Sequence, residues 1–453
     1  MARDLTRGNP LKQLILFSLP ILLGNLFQQL YGMVDTVIVG RYLGENAMAA
    51  VGATGSVHFF ILGFVNGTTN GFAIRTAQAF GSGDKQEVRR SIRSCMILGI
   101  ALTVFMTALS VPLLRPLLKL MQTPADLLDD AVLYIQVICG GMFSAIFYNL
   151  MASIMRALGD SRTPLIFLII SALLNVVLDI VLIVVFRMGV EGAALATVIS
   201  QTVSAAACLL YGLRHSEYLH TGSVKGQVTG QMLKEHTAIG VPMGLQFSVT
   251  AIGSMMLQSS FNLFGTVGAT AYAVACKVES LSMQPGIALG AAMATYAGQN
   301  LGARDFWRIS RGSRCALLLG AAYSALAAFI NIGLGEGLMS LFFTGEMTAQ
   351  VRAYAMEYLW ITSAFYVFLL LIHIFRNMLQ GLGEKTTPMA GGVVELIARV
   401  GVCMVLPGII GYTGACLAPC AAWIGAGVLN CARYFYLERR WRRQGLMKGA
   451  VRA

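Results

Sequence analysis

The sequence predicts an all-α polytopic membrane protein whose twelve transmembrane helices form two parallel six-helix repeats. Three observations predict it. First, 56% of the 453 residues are apolar and only 12% are charged, against about 25% charged in an average soluble domain. Second, apolar runs of 20 or more residues recur along the whole chain, each enough for a helix to cross about 30 Å of hydrocarbon. Third, the two halves match each other at a nearly constant offset. The short alternating segments of a membrane barrel are absent from the sequence, and the first apolar run, 14–39, is too long for a cleavable signal peptide and has no cleavage site.

The spans follow in order at approximately 14–40, 50–80, 94–118, 131–155, 164–186 and 191–213, then 236–264, 269–301, 315–343, 352–380, 388–410 and 414–436. Between them the loops alternate in charge. Of the 33 Lys and Arg residues, 25 fall on the side of the N-terminus and five on the other, Arg41, Arg115, Lys119, Arg187 and Arg352. Positive loops resist translocation, so both termini are expected in the cytoplasm and the protein in the cell membrane as a multi-pass chain. The formal charge of +12 is thus absorbed by topology. No aromatic-interleaved basic patch suggests nucleic acid as a partner.

The duplication is read from matched residues. Pro20 pairs with Pro242 at an offset of 222, and Gln78, Gly81 and Asp84 pair with Gln299, Gly302 and Asp305 at 221. Leu158, Gly159 and Pro164 pair with Leu382, Gly383 and Pro388 at 224. The octets 189–196 and 411–418 share five of eight residues. Six spans per copy give both copies one orientation, hence an expected axis along the membrane normal. The expected division is an N-terminal lobe 1–214, a cytoplasmic linker 215–234 rich in Gly, Ser and Thr, and a C-terminal lobe 235–453.

Two lobes around a central cleft suit alternating access by a transporter. No GxxxxGK[ST] occurs, so transport would be driven by an ion gradient. HExxH and GxSxG are also missing, which argues against an enzyme. The nine cysteines lie mostly in apolar spans without metal-like spacing and are expected as reduced core residues. No metal and no cofactor are expected.

Buried polar residues point to a site in the first lobe. Pro20, Gly24, Gln28, Tyr31 and Asp35 recur at steps of 4, 4, 3 and 4 on one face of the first span. Asn175 and Asp179 share a face of the fifth span at i, i+4, and Thr197 shares a stripe with Gln201 and Ser204 in the sixth. At 1.5 Å per residue from the outer ends of their spans, Asp35, Asp179 and Thr197 lie roughly 9, 12 and 9 Å deep. Two carboxylates, an amide and a hydroxyl at one level suit a hard monovalent cation, which wants oxygen ligands. Alternatively, two acids held close create a proton acceptor. An uncompensated intramembrane acid costs several kcal/mol, which favours function over packing.

The first span with Pro20 and Asp35, the segment AlaGlnAlaPheGlySerGlyAsp at 77–84, the turn ArgAlaLeuGlyAspSerArgThrPro at 156–164 and the GlyAlaAla-x-AlaThr start of the sixth span resemble the multidrug and toxic compound extrusion family. The resemblance covers essentially the whole chain. It implies a twelve-helix, two-lobed, V-shaped antiporter that exports mostly cationic, amphipathic compounds in exchange for sodium ions or protons. It also implies that Asp35, Asn175, Asp179 and Thr197 form the cation site of the N-terminal lobe. The expected partners are such small molecules and the lipid bilayer, with a monomer as the working unit. A competing reading is a flippase for lipid-linked saccharides, as in related folds. That would favour a strongly cationic cavity, whereas the spans offer only Arg75, Lys277 and Arg399.

The second half does not repeat the acid site: Asp35 corresponds to Leu257 and Thr197 to Pro419. In another branch of the family, acids of the seventh and tenth spans carry the coupling ion, but here the seventh has Gln246 and no acid. The half does carry Lys277 and Glu279, which cannot face each other at i, i+2. Gln28, Tyr31, Gln246, Lys277 and Glu279 are therefore candidates for substrate contact or gating. Glu395 and Arg399, at i, i+4, are expected as a structural ion pair, and Arg75 is expected to snorkel to the membrane surface.

Overall fold

The computed structural model describes residues 3–121, 123–220, 227–340 and 347–447, and among these every regular element is helical. In order they are α1 (Pro10–Leu43), α2 (Glu45–Ala53), α3 (Gly55–Ser82), α4 (Lys85–Leu120), α5 (Ala125–Gly140), α6 (Met142–Ala157), α7 (Arg162–Asp179) and α8 (Val190–His215). The second half continues with α9 (Gly230–Asn262), α10 (Gly265–Gly302), α11 (Phe306–Gly333), α12 (Gly335–Ser340), α13 (Ala349–Ala364), α14 (Tyr366–Leu371), α15 (Asn377–Gly381), α16 (Thr386–Ile410) and α17 (Tyr412–Arg443). Eight of the described helices are individually long and apolar enough to cross a membrane. Three more spans are bent pairs, α2 with α3 at 42°, α5 with α6 at 48°, and α13 with the segment Tyr366–Gly381 at 54°. The twelfth expected span is α10, 38 residues long but diluted by Lys277, Glu279, Gln284, Gln299 and Asn300. Part of the expected linker, 221–226, and the C-terminal residues 448–453 lie outside the described residues.

These helices turn large apolar side chains outward, as a lipid environment allows, and bury their few polar residues among apolar ones. On α7, Ile166, Ile170, Leu173 and Val177 are exposed, whereas Ser171, Asn175 and Asp179, at steps of four, are buried. On α4, Ile97, Ile100, Val104, Leu109 and Leu113 face outward, while Ser91, Cys95, Leu102, Met106 and Ser110 are buried.

The repeat is visible in local backbone features. Gly44 and Gly265 both have positive φ at the start of a helix, Gly44 just before α2 and Gly265 as the first residue of α10, which glycine adopts without penalty. Asp84 caps α4 by accepting from the N–H groups of Gln86 and Glu87, and Asp305 caps α11 by accepting from the N–H of Arg308. The break between α5 and α6 falls at Gly141 and that between α13 and α14 at Phe365, 224 residues apart. Gly159 and Gly383 end the corresponding segments at φ +87° and +82°.

The chain divides into two compact units that are not contiguous in sequence: Met1–Asp4 with Leu23–Gly244, and Leu5–Leu22 with Leu245–Ala453. The boundary thus runs through α1 and α9, two residues after Pro20 and Pro242, rather than at the linker. In the first unit, the start of α9 packs through Gly240 and Gly244. A Cβ at Gly71 would come within 2.4 Å of the Gly240 Cα, and one at Gly244 within 2.2 Å of Thr68 Oγ1. Small residues four apart allow such close helix approach in membranes. The same segment is tied by Glu235, which accepts from Arg75, and by His236, paired with Ser91 at 2.9 Å. In the second unit, Leu5 donates its N–H to Gln299 Oε1 at 3.0 Å, Arg308 donates to the carbonyls of Leu5, Arg7 and Gly8, and Leu14 and Phe17 are buried with Met293 and Tyr296.

Candidate functional site

The residues expected to form a site in the first half meet within the first unit. Asn175 and Asp179 are fully buried on α7, and Asp35 of α1 and Thr197 of α8 are 8% and 7% exposed. The Tyr31 hydroxyl, one turn before Asp35, pairs with Thr197 Oγ1 at 3.1 Å and so joins α1 to α8. The Asn175 amide is oriented by its neighbours. With its nitrogen toward Asp179 it donates to Oδ2 at 2.9 Å, and its oxygen accepts from the Thr197 N–H at 3.1 Å.

The carboxyl groups of Asp35 and Asp179 lie within hydrogen-bonding contact of each other. One oxygen of each, Oδ1, has no hydrogen-bond partner. Two bare carboxylates in contact in a medium of low dielectric repel strongly, so the pair is suited to hold one proton or one small cation. The neighbouring hydroxyl oxygens of Thr197 and Tyr31 are further ligands for such an ion, while the Asn175 amide presents its nitrogen to Asp179. Tyr134 of α5 is buried within electrostatic range of both acids and of Tyr31. Nothing in its sequence position, about 100 residues from Asp35, singles it out.

Helix α7 ends at Asp179 and continues as a π-helical stretch, Ile180–Val185. Such widened turns often mark functional sites. An apolar run of six gives no sequence signal for it.

The other candidates are placed separately. Gln28 is exposed, so the polar face of α1 is sealed at Asp35 and Gly24 but open between them. Gln246 is buried: it accepts from Gln380 Nε2 at 2.8 Å and donates to the Pro388 carbonyl at 3.2 Å, which makes it a helix tie. Lys277 is exposed while Glu279 is buried, and Glu279 accepts from the Tyr358 hydroxyl at 2.7 Å. Glu395 pairs with Arg399 at 2.9 Å and with Arg376 at 3.7 Å. Arg75, expected to snorkel, is partly exposed and reaches an acid at the N-terminal end of the seventh span. It is held by Glu235 and by Gln78 at 2.9 Å, because the start of α9 brings an acid within its reach.

An all-helical chain with a duplicated unit of membrane-spanning helices has the fold of a polytopic membrane transporter. The MatE family model matches residues 20–181 and again 242–405, and the chain belongs to that family. The two matches start 222 residues apart, the offset of Pro20 and Pro242. The chain is 33% identical over 303 residues to a probable multidrug resistance protein, YpnP, of Bacillus subtilis, covering 66% of this chain and 67% of that one. It is 27% identical over 448 residues to a probable multidrug resistance protein, NorM, of Thermotoga maritima, covering 96% and 94%. A solved MATE structure in the bent conformation superposes with a TM-score of 0.90 at 22% identity, over 98% of this chain and 99% of that one.

Proposed function

We propose that the protein is an antiporter of the cell membrane that exports small amphipathic organic cations in exchange for protons or sodium ions, with both termini in the cytoplasm. Asp35, Asn175, Asp179 and Thr197 form its coupling site. The observation that carries the reading is the contact between two buried carboxyls, each with an unpartnered oxygen, inside one unit. Loading this pair with a proton or cation removes negative charge from a buried site. The loaded and empty forms then favour different arrangements of the surrounding helices, and coupling follows from differential affinity for two states. Relatives known as multidrug resistance proteins support the substrate class.

The test is export of a fluorescent organic cation from vesicles containing the full chain, under an imposed pH gradient or an imposed sodium gradient. Export should follow one of the two and should be lost in Asp179→Asn. Export that follows neither gradient would overturn the antiport reading.

A further inference from the structure

On the second unit a cavity of about 520 Å³ opens between α11 and the end of α17, its wall formed chiefly by Trp307, Arg311, Arg314, Leu318 and Arg442. We infer that it binds the phosphodiester head of an anionic phospholipid from the surrounding bilayer. Three guanidiniums line it and, among the described residues, no acid does. Glu438, behind the wall, accepts from Arg442 at 2.7 Å and from Ser310 Oγ at 2.7 Å, and lies 3.8 Å from Arg314. Arg311 sits 5.0 Å over the Trp307 ring, an arrangement that fixes the guanidinium while leaving its edge donors available. One buried carboxylate against three guanidiniums leaves a net positive cavity, and guanidiniums match the geometry of phosphate oxygens.

The wall is graded along α11. Arg311 and Arg314 precede the start of the ninth span near Cys315, and Leu318, 70% exposed, lies one turn further toward the hydrocarbon. From Trp307 to Leu318 the helix rises roughly 16 Å, spanning the interface where tryptophan is favoured and the edge of the acyl region. A soluble phosphate would use the arginines alone. A lipid uses both ends, and basic pockets on the positive face of a membrane protein are where anionic head groups are held. The inference rests on the membrane reading of the chain but not on the coupling site.

The test uses the full chain in detergent and counts retained lipid by native mass spectrometry, with phosphatidylglycerol and phosphatidylcholine supplied in equal amounts. The intact protein should retain phosphatidylglycerol preferentially. Arg311→Gln with Arg314→Gln should weaken that retention roughly thirty-fold, the size expected for two guanidiniums at a membrane surface. Lys12→Gln with Arg93→Gln removes the same charge from elsewhere on the basic face and should leave retention unchanged. Leu318→Glu keeps every arginine, and should also lose the lipid. Equal loss in the Lys12/Arg93 pair, unchanged retention in the Arg311/Arg314 pair, or full displacement by glycerophosphoglycerol, which lacks acyl chains, would each overturn the proposal.

Discussion

Asp35 and Asp179 stand at the centre of the residue scale, because each leaves one buried oxygen without a donor. Asp35→Asn and Asp179→Asn should each abolish gradient-driven export while the folded protein stays in the membrane, since Asn keeps the shape and most hydrogen bonds. The double variant should be little worse than either single one, as expected for groups that act as one unit; vesicle export assays on all three variants measure this. Thr197→Ala removes the oxygen that joins Tyr31 to the site and should weaken the ion dependence of export. Glu395→Gln instead strands Arg399 as buried charge and takes the carboxylate away from the partly exposed Arg376. It should lower stability by about 3–5 kcal/mol with ion dependence intact, so thermal unfolding of the purified variant and an ion titration of export separate the two roles. The i, i+4 spacings of Asn175 with Asp179 and of Glu395 with Arg399 were legible in the sequence. Arg376 and Tyr134 were not, because partners on other helices carry no signal of spacing.

At the level of elements, α1 and α9 each pass from one unit to the other two residues after their proline. Glycines 240 and 244 make the approach of α9 to α3 possible, with Pro242 between them inside the helix. Gly240→Val would drive a branched side chain into Phe72 and the Thr68 carbonyl, both of which lie within 2.9 Å of where its Cβ would stand. The expected cost is about 1–3 kcal/mol, read as a lowered unfolding temperature. Gly230→Val, at a position with open space around it, should show no such steric penalty. The helix breaks at Thr54 and Gly141 fall beside glycines, Gly55 and Gly140, that mark them in the sequence, whereas the break at Phe365 lies in a run without such a signal.

For the molecule as a whole, the bias of Lys and Arg toward one set of loops predicts that a reporter fused after Ala453 is active in the cytoplasm. Activity restricted to the opposite side of the membrane would reverse the topology and place the arginine-lined cavity of the second unit in the outer leaflet. The duplication links this scale to the others. Six spans per copy, matched caps at Asp84 and Asp305 and matched breaks at Gly141 and Phe365 all repeat one plan, yet only the first copy carries the acid pair.

The class, the spans and the repeat can be read along the chain, and so can the candidacy of the four polar residues in the first half. Hydropathy, charge bias and periodicity are properties of the chain read along its length, and an acid in hydrocarbon is conspicuous wherever it folds. Tertiary structure alone decided that Asp35 and Asp179 touch, that Tyr31 reaches Thr197, that Arg75 finds Glu235, and that the unit boundary cuts through α1 and α9. Each of these depends on the rotation and approach of helices distant in sequence. That approach is set by which small side chains, such as Gly71 and Gly240, let two backbones come close; small residues four apart are visible within a span, but which helix each of them meets is not.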